Sequence, residues 1–438
     1  MSINSDTTYS ASINMAVRPN LFCLINLFTS EGMCKNILWE VYFNMSNIAV
    51  IGAGNGGQAM AAFLALKGYR VNLYNRTASR IAAIKEEGGI HLSGLYKGYG
   101  KLNKVTTSIQ DAIDDVELIM VVTPAIAHKY LAEEMEPYLV DGQKIVLNPG
   151  RTGGALEFNN ILKEHGCRAN VIISEAQTFI YASRVIGPAQ ARIFGMKKRV
   201  SISALPSNRT REVVDMLFEV FPQFLPVENV LKTSLDNIGA IFHPAPTLLN
   251  MAWIESTQGK FNYYQDGISP SISKIMRKID QERIAIATAM GVEPISAKDW
   301  LRMSYGVRGK DLYDLLQNNM NYHGIKAPGN IKHRYIFEDV PMSLVPIASI
   351  GRKFNVETPT INLIIDLANI VFDTDFRKEG RTVETLGIAK LNNKQITNFV
   401  NTGNIDNVEY FPGYKSAIYD KLDNLIFTDF NEYQKEVE

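Results

Sequence analysis

His243 has the most unusual setting of the six histidines in this chain. It lies in Phe242-His243-Pro244-Ala245-Pro246, inside a helical pattern that begins near Lys232. Two prolines remove two backbone donors and clash with the preceding turn, so the helix must kink or restart there. A histidine at such a break can point its ring into a cleft, where it would serve acid–base chemistry near neutral pH. A histidine that only supports the kink is the alternative.

A second run of polar residues lies about 90 residues further on, at His333-Arg334-Tyr335-Ile336-Phe337-Glu338-Asp339-Val340-Pro341. Asp339 can be interpreted as the N-cap of the next helix, with Pro341 in its first turn. On that interpretation Arg334 is a solvated loop charge. Taken alone, the segment leaves open whether either charge has a further role.

A glycine-rich turn near the N-terminus predicts a dinucleotide site. Gly52-Ala53-Gly54-Asn55-Gly56-Gly57 joins an apolar run over residues 48–51 to a helical pattern. Strand, glycine turn and helix together bring backbone N–H groups and a helix N-terminus up to a pyrophosphate. Gly52 would permit the tight turn, Gly54 the approach of the phosphates and Gly57 the packing of the helix, with Asn55 in the same turn. A glycine turn of some other α/β protein is the alternative.

The end of the second predicted strand bears on the choice of cofactor. NAD sites usually place Asp or Glu there to bind the ribose hydroxyls, but this chain has Asn75-Arg76-Thr77, with Arg80 one helical turn later. An amide and two guanidinium groups suit a ribose phosphate better than a bare hydroxyl. We therefore favour NADP(H) over NAD(H). Arg76 and Arg80 as solvated helix residues is the alternative.

Composition narrows the class of protein. The 438 residues include 45 Lys and Arg against 45 Asp and Glu, and no basic stripe is evident, so a nucleic-acid partner is not expected. Three cysteines at unrelated spacings predict neither a disulfide framework nor a metal site, and they fit a reducing cytoplasm. No apolar stretch reaches the roughly 20 residues of a membrane span.

The chain is too long for one ordinary core, so two domains are expected. Residues 1–44 lack helix caps and a sustained hydrophobic period, and Met45-Ser46 directly precedes the first strand. We interpret 1–44 as an extension outside the fold, 45–228 as a dinucleotide-binding domain and 229–438 as a helical substrate domain. The oligomeric state stays open, with a homodimer as one option.

Alternating strands and helices over 45–228 predict an α/β Rossmann domain, a doubly wound and mostly parallel sheet. Residues 90–107 look like a β-excursion, and residues 180–206 look like short antiparallel strands. Long helical patterns follow over 232–255, 271–290, 341–353 and 359–372, which predicts an all-α C-terminal domain of the 6-phosphogluconate-dehydrogenase-like type. Ligands of open α/β sheets bind beyond the carboxyl ends of the strands, which places Thr123 and Pro124 on the same rim as the glycine turn.

With these motifs in view, the chain resembles the octopine/nopaline (opine) dehydrogenases over most of residues 46–390. The resemblance rests on the glycine turn, Pro124-Ala125-Ile126-Ala127-His128, Asn148-Pro149-Gly150, His243-Pro244-Ala245-Pro246, and Arg334-Tyr335 followed by Glu338-Asp339-Val340-Pro341. It implies reductive condensation of an amino acid with a 2-oxo acid such as pyruvate, by reduction of the imine with NAD(P)H.

The resemblance also implies residue roles. His243 would be the acid/base, Asp339 its orienting partner and Arg334 the group that binds the oxo-acid carboxylate. Some relatives carry Asn four residues before the histidine, where this chain has Gly239 and the nearest amide is Asn237. The amine pocket is hard to read, although Tyr263, Tyr264 and residues 302–330 are candidates to line it.

Two alternatives remain at the level of sequence. A ketopantoate- or glycerol-3-phosphate-type reductase has a similar layout and would use Lys232 and Asn237, but it would leave His243 and its prolines without a role. A protein that only binds the dinucleotide would leave His243, Arg334 and Asp339 unexplained.

Overall fold

The computed structural model describes residues 47–406, so the extension inferred over 1–44 and the tail beyond 406 lie outside the described residues. Within 47–406, no helix is both long and apolar enough to cross a membrane.

The N-terminal half alternates strands with helices, as the sequence predicts. Its first strands are short and almost wholly apolar, which is typical of parallel strands that are covered on both faces. The strands that form the large sheet are β1 Asn47–Ile51, β2 Arg70–Tyr74, β5 Lys104–Thr106, β6 Leu118–Val121, β7 Lys144–Leu147, β8 Ile172–Ala176, β11 Val200–Leu205 and β12 Phe224–Pro226. The helices of this half are α1 Asn55–Leu66, α2 Ala78–Glu87, α3 Ile109–Ile113, α4 His128–Met135, α5 Gly154–Glu164 and α6 Thr210–Leu217.

The large sheet has the order β12-β11-β8-β7-β6-β1-β2-β5. All neighbours are parallel except β11 and β8, which run antiparallel. The strand order reverses between β1 and β6, and ligands of doubly wound sheets bind at the crevice beside such a reversal. The predicted Rossmann fold with a mostly parallel sheet is confirmed.

A second, four-stranded sheet lies beside the first, with the order β4-β3-β10-β9. It is built from β3 Gly89–Gly94, β4 Gly98–Lys101, β9 Tyr181–Gly187 and β10 Gln190–Met196. The β-excursion predicted over 90–107 therefore pairs with the antiparallel hairpin predicted after residue 180, since β3 runs parallel to β10. β5, which lies within the predicted excursion, and β11, predicted with that hairpin, instead join the large sheet.

The C-terminal half is helical, as predicted. The helices are α7 Val230–Leu235, α8 Gly239–Phe242, α9 Pro244–Leu249, α10 Met251–Thr257, α11 Pro270–Ala289, α12 Ala297–Tyr305, α13 Leu312–Gln317, α14 Arg334–Phe337, α15 Val345–Lys353, α16 Pro359–Phe372, α17 Phe376–Glu379 and α18 Asn393–Thr402. One π-helical turn, Val340–Leu344, precedes α15. The single helix predicted over 232–255 is four short helices, because two prolines and a glycine interrupt its hydrogen bonding.

Alternate residues of β1 belong to two apolar cores. Ile48 and Val50 pack with α1 and the second sheet, whereas Ala49 and Ile51 pack with a core that continues into the helical half. Successive side chains of a strand point to opposite faces. The helical half therefore covers one face of the large sheet and shares its core.

Candidate active site

The glycine turn has an open backbone that fits a dinucleotide pyrophosphate. Gly52 has a φ of +111°, and a Cβ there would lie 2.6 Å from the Val122 carbonyl oxygen. A Cβ at Gly57 would lie 1.7 Å from the Gly52 oxygen, so the start of α1 packs directly on the turn. Nothing lies within 4 Å of a Cβ at Gly54, and α1 has no acidic residue in its first turn. This N-terminus can therefore accept an anion.

Two asparagines brace this turn. The Asn75 side-chain oxygen at the end of β2 accepts a hydrogen bond from Ala53 N–H at 3.1 Å, and its amide group donates to the Thr77 carbonyl. The side-chain oxygen of Asn55 accepts from Val185 N–H at 2.9 Å, which ties the second sheet to the start of α1. Both side chains therefore contact the backbone around the turn.

The other predicted cofactor residues lie on the same rim. Arg76 is exposed, with its guanidinium carbon 5.3 Å from the centre of the Tyr130 ring. Thr123 follows β6, and its hydroxyl oxygen is buried without a hydrogen-bond partner in residues 47–406. Pro124 begins the short turn that leads into α4. Arg76 and Thr123 thus follow the carboxyl ends of β2 and β6, the two strands that flank β1 in the large sheet.

His243 lies at a junction between two helices, since it ends α8 and begins α9. Pro244 and Pro246 cannot donate to the preceding turn. The Phe242 carbonyl, which Pro246 would otherwise bond, lies 3.4 Å from the Tyr263 hydroxyl. The His243 carbonyl accepts from Thr247 N–H at 3.1 Å and also from the Tyr263 hydroxyl at 2.9 Å and the Thr247 hydroxyl at 2.7 Å. The break predicted from the prolines is thus stabilised by side chains.

The imidazole of His243 is held on two sides. Its Nδ1 lies 2.8 Å from Asp339 Oδ2, and its ring stacks on the Tyr335 ring with centroids 4.0 Å apart and planes 10° apart. Asp339 is fully buried, while the His243 side chain is 15% exposed. Within residues 47–406 no hydrogen-bond partner contacts Nε2. The arrangement therefore fixes one nitrogen and leaves the other available to a substrate.

Arg151, from the loop after β7, contacts two neighbouring carboxylates of the helical half. Its Nη1 lies 3.1 Å from Asp339 Oδ1 and its Nε lies 3.2 Å from Glu338 Oε1. The same Glu338 oxygen accepts from Ala125 N–H at 3.1 Å. All three side chains are buried. Residues at the ends of β6 and β7 are therefore connected to the acid that holds His243.

Burial and neighbouring charges together set the protonation states of this cluster. Burial would raise the pKa of Asp339, but the Arg151 and His243 charges outweigh it and lower the pKa to about 2. Burial lowers the pKa of His243, Asp339 raises it, and Arg151 and Arg334 lower it, with a net decrease. Burial, Arg334 and His243 lower the pKa of His333 to about 4. Asp339 is therefore ionised at neutral pH, and His243 is held mainly neutral before substrates bind.

Arg334 begins α14, directly before the tyrosine that stacks on His243, and it is exposed. It makes no ion pair with any residue from 47 to 406. Its charge nevertheless acts on His243, His333 and Lys197. A guanidinium with no carboxylate partner in residues 47–406, whose charge acts on an imidazole with one free nitrogen, is suited to bind an anionic substrate.

Lys232 and Asn237 are both buried, and their amino and amide groups already have partners. The Lys232 amino group donates to Asp236 Oδ2 at 2.7 Å and to the Glu293 carbonyl at 2.6 Å. Asn237 donates to Ser343 Oγ at 2.8 Å and, more weakly, to Thr152. Lys232 is thus engaged within the helical half, whereas Asn237 reaches Asp339 through Ser343, which donates to Asp339 Oδ1 at 3.4 Å; neither makes a hydrogen bond to His243.

Sequence reasoning missed several residues of the site. Arg151 could have been noticed as a basic residue directly after Asn148-Pro149-Gly150, on the rim where ligands bind. Burial, with Arg151 and Arg334, lowers the pKa of Lys197 to about 8, and its amino group donates to the Phe179 carbonyl. Tyr263, proposed for the amine pocket, is fully buried and supports the His243 carbonyl.

Two family models match the two halves of the chain. Residues 48–148 match ketopantoate reductase PanE/ApbA, and residues 226–372 match the alpha-helical domain of NAD/NADP octopine/nopaline dehydrogenase. The second match contains His243, Arg334 and Asp339. The helical half therefore separates this chain from the ketopantoate reductases that the first half resembles.

Curated relatives match nearly over their whole length. An opine dehydrogenase of Arthrobacter sp. (strain 1C) is 43% identical over 344 residues, which are 78% of this chain and 95% of the relative. The protein ocs of Agrobacterium tumefaciens (strain Ach5) is 24% identical over 365 residues, which are 82% of this chain and 99% of the relative.

Solved structures show the same fold. Octopine dehydrogenase with NADH and L-arginine is 19% identical, has a TM-score of 0.68, and covers 84% of this chain and 100% of its own. Yersinopine dehydrogenase with NADP+ is 14% identical, has a TM-score of 0.61, and covers 82% of this chain and 98% of its own. Given the identity and coverage of the Arthrobacter relative, the chain belongs to the opine dehydrogenases, the NAD(P)-dependent oxidoreductases that join an amino acid to a 2-oxo acid by reducing their imine.

Proposed function

We propose that His243 is the acid/base of this reductive condensation, that Asp339 orients it, and that Arg334 binds the 2-oxo acid. The observation that carries the proposal is the 2.8 Å contact between His243 Nδ1 and Asp339, with Nε2 unengaged. A carboxylate on one ring nitrogen fixes the tautomer and stabilises the imidazolium, so the other nitrogen can exchange a proton with the substrate.

The chemistry requires one proton donor near the reacting carbon. Joining an amine to a carbonyl expels one water, and reducing the resulting imine consumes one hydride and one proton. The bound dinucleotide would supply the hydride. His243 Nε2 would give this one proton to the departing oxygen, so that water leaves and the imine forms already protonated at nitrogen and needs only the hydride; in the reverse direction Nε2 would take the proton back. Asp339 would stay ionised throughout, because the pKa of its carboxyl group is about 2.

Arg334 would orient the 2-oxo acid. It is exposed, carries no ion pair within the described chain, and precedes the tyrosine that stacks on His243. A bidentate contact to the carboxylate would hold the neighbouring carbonyl carbon near the imidazole. The positive charge would also offset the negative charge of the substrate as it leaves water.

We propose NADP(H) in preference to NAD(H) as the cofactor. The end of β2 offers no carboxylate, since Asn75 stands there and its amide is engaged with the backbone. Arg76 and Arg80 are exposed beside it, and the Thr77 hydroxyl at the start of α2 makes no capping bond. Two guanidinium groups and a free hydroxyl favour the ribose 2′-phosphate.

We also propose that the dinucleotide-binding domain ends near residue 228. The last strand of the large sheet ends at Pro226, and the first C-terminal helix begins at Val230. With this boundary, Arg151 belongs to the dinucleotide-binding domain and Asp339 to the helical domain, and their side chains form an ion pair across the two.

Oxidation of the reduced cofactor tests the whole proposal. Purified protein is mixed with NADPH or NADH, a panel of 2-oxo acids and a panel of amino acids, and absorbance at the nicotinamide band is followed. We expect turnover only when an oxo acid and an amine are both present, and faster turnover with NADPH. Turnover with the oxo acid alone would contradict the condensation, and faster turnover with NADH would contradict the cofactor assignment.

A further inference from the structure

We propose that Arg151 is the positioning residue of the His243–Asp339 pair and that Gly239 is required to be glycine in order to admit it. The proposal rests on the roles proposed above for His243 and Asp339. It assigns a function to a residue of the dinucleotide-binding half that no motif of the sequence identifies.

The two oxygens of Asp339 are used differently. Oδ2 faces His243 Nδ1, whereas Oδ1 lies 3.1 Å from Arg151 Nη1 and accepts a weaker hydrogen bond from Ser343 at 3.4 Å. The guanidinium therefore fixes the rotation of the carboxylate as well as its charge. Because an ion pair inside a protein depends strongly on geometry, a shift of Arg151 changes both the orientation of Asp339 and the field at His243.

Arg151 is itself held with unusual firmness. Its backbone has a φ of +61°, a left-handed conformation that non-glycine residues seldom adopt and that is often found at functional sites. Its Nε contacts Glu338 while Nη1 contacts Asp339, so the planar guanidinium is anchored at two points. The Arg151 side chain is therefore held in one position, unlike the side chain of a surface arginine.

Gly239 is the residue that makes this placement possible. A Cβ at position 239 would lie 2.3 Å from Arg151 Nη1, and 3.1 Å and 3.2 Å from the side-chain oxygens of Asp339 and Asn237, so that only the guanidinium is closer than 3.0 Å. The backbone of Gly239 is not left-handed, so its conformation would allow any residue. The glycine is therefore required by the space that the guanidinium occupies. Gly239 lies one helical turn before His243. The space that a larger side chain would occupy at position 239 is filled in this protein by the Arg151 guanidinium.

Gly239→Ala tests this directly, because it changes neither the charge nor any hydrogen-bonding group. To reach ordinary van der Waals contact, Nη1 must move by about 1 Å, away from its place beside Asp339. We expect kcat to fall on the order of 10- to 100-fold, with the KM for each substrate changed less than threefold. Gly195→Ala is the matched control, because a Cβ there meets nothing within 4 Å.

A double-mutant cycle shows whether the effect passes through Arg151. Arg151→Gln shortens the side chain and removes Nη1, so adding Gly239→Ala to it should cost less than twofold in kcat. Arg151→Lys keeps the charge without the planar fork and should recover part of the loss of Arg151→Gln. Additive losses in the double variant would overturn the coupling.

The state of His243 can be read without any turnover, by following ring-labelled histidine signals in NMR titrations of the cofactor-free protein. His243→Gln identifies the signal. The charged groups that act on His243 are Asp339, Arg151 and Arg334, the titratable Tyr335 ring stacks on it, and His333 is close enough for the His243 charge to act on it. Since Arg151 lowers the pKa of His243 and neutralises part of the Asp339 charge, we expect that pKa to rise in Gly239→Ala and Arg151→Gln.

The outcomes separate this inference from the proposed function. A wild-type protein that lacks condensation activity but shows the rise in the His243 pKa would refute the function and keep the positioning role. An active wild type whose Gly239→Ala variant has wild-type kcat and an unchanged His243 titration would refute the positioning role alone.

Discussion

Two histidine clusters of this molecule use the same three residue types in opposite order. In the site cluster, His243 contacts the carboxylate of Asp339, which in turn contacts Arg151. In the structural cluster, His128 contacts the guanidinium of Arg381, which in turn contacts the carboxylate of Glu157. His128 Nδ1 is 3.0 Å from Arg381 Nη2, and Arg381 Nε is 2.7 Å from Glu157 Oε2. His128 and Arg381 are both fully buried.

The order of the groups decides what each histidine can do. A guanidinium only donates, so Nδ1 of His128 must accept and the ring must stay neutral. Burial and the Arg381 charge accordingly hold the pKa of His128 well below its usual range. His243 instead donates from Nδ1 to Asp339 and can become imidazolium. A histidine becomes available for proton transfer when its nearest partner is an acid.

One loop connects the two clusters. Arg381 donates to the carbonyls of Gly150 and Thr152, which flank Arg151 on both sides. The structural cluster thus fixes the backbone from which Arg151 reaches Asp339. The site cluster can transfer a proton and the structural cluster cannot, but the position of the first depends on the loop that the second holds.

The largest expected effect is that of His243→Gln on catalysis. Loss of the acid/base should lower kcat on the order of 10³-fold, while the Kd for NADPH stays within about threefold, because His243 makes no contact with the glycine turn. Kinetics and fluorescence titration of NADPH measure the two quantities. If His243→Gln retained wild-type kcat, the site cluster would be no more catalytic than the His128 cluster.

Next in size is the effect of Arg381→Met on stability. It leaves buried Glu157 and two loop carbonyls without their donor, so the free energy of unfolding should fall by about 3–5 kcal/mol in denaturant titrations. Arg377→Met is the matched control, since Arg377 pairs with Asp366 at the surface and should change stability by less than about 1 kcal/mol.

At a temperature where Arg381→Met remains folded, its kcat should exceed that of His243→Gln at least tenfold. A variant that is stable but as inactive as His243→Gln would contradict the division into a structural and a catalytic cluster.

The two clusters were not equally predictable from sequence. Local signals identified the glycine turn and the break at His243, because prolines and glycines act on their own neighbours. They indicated Asp339 only as a helix N-cap, whereas its side chain makes no capping bond and contacts His243 instead. The contacts of Arg151 and Arg381 depend on residues 187 and 224 positions away, so no local pattern indicates them. For the same reason the pairing of β3 with β10 was not foreseen. The type of each half was predictable, whereas the connections between them were not.

Asp339→Asn should have a smaller effect on rate but a diagnostic effect on pH dependence. We expect kcat to fall on the order of 10²-fold. In the reductive direction the enzyme needs protonated His243, so kcat/KM falls as pH rises through its pKa. Because Asp339 raises the pKa of His243, its loss should move this limb to lower pH.

Profiles of kcat/KM against pH in wild type and Asp339→Asn check this sign. The shift is opposite to that expected for Arg151→Gln, so the pair distinguishes the two partners of His243. A limb that moved to higher pH in Asp339→Asn would mean that the carboxylate does not act on the imidazole.

The smallest expected effect is that of His128→Gln on the pH dependence of stability. The pKa of His128 is lowered in the folded protein, so below pH 6.5 the unfolded chain binds a proton that the folded chain does not. Stability therefore falls as pH decreases below 6.5, with a slope of up to about 1.4 kcal/mol per pH unit from this group. Glutamine cannot titrate but can still accept from Arg381, so the variant should lose this part of the slope.

Denaturant titrations between pH 5 and 7 measure this slope, with His165→Gln at an exposed position as the control. If the slope of His128→Gln equalled that of wild type, His128 would be titrating in the folded protein, and the order of groups in its cluster would not be what keeps it neutral.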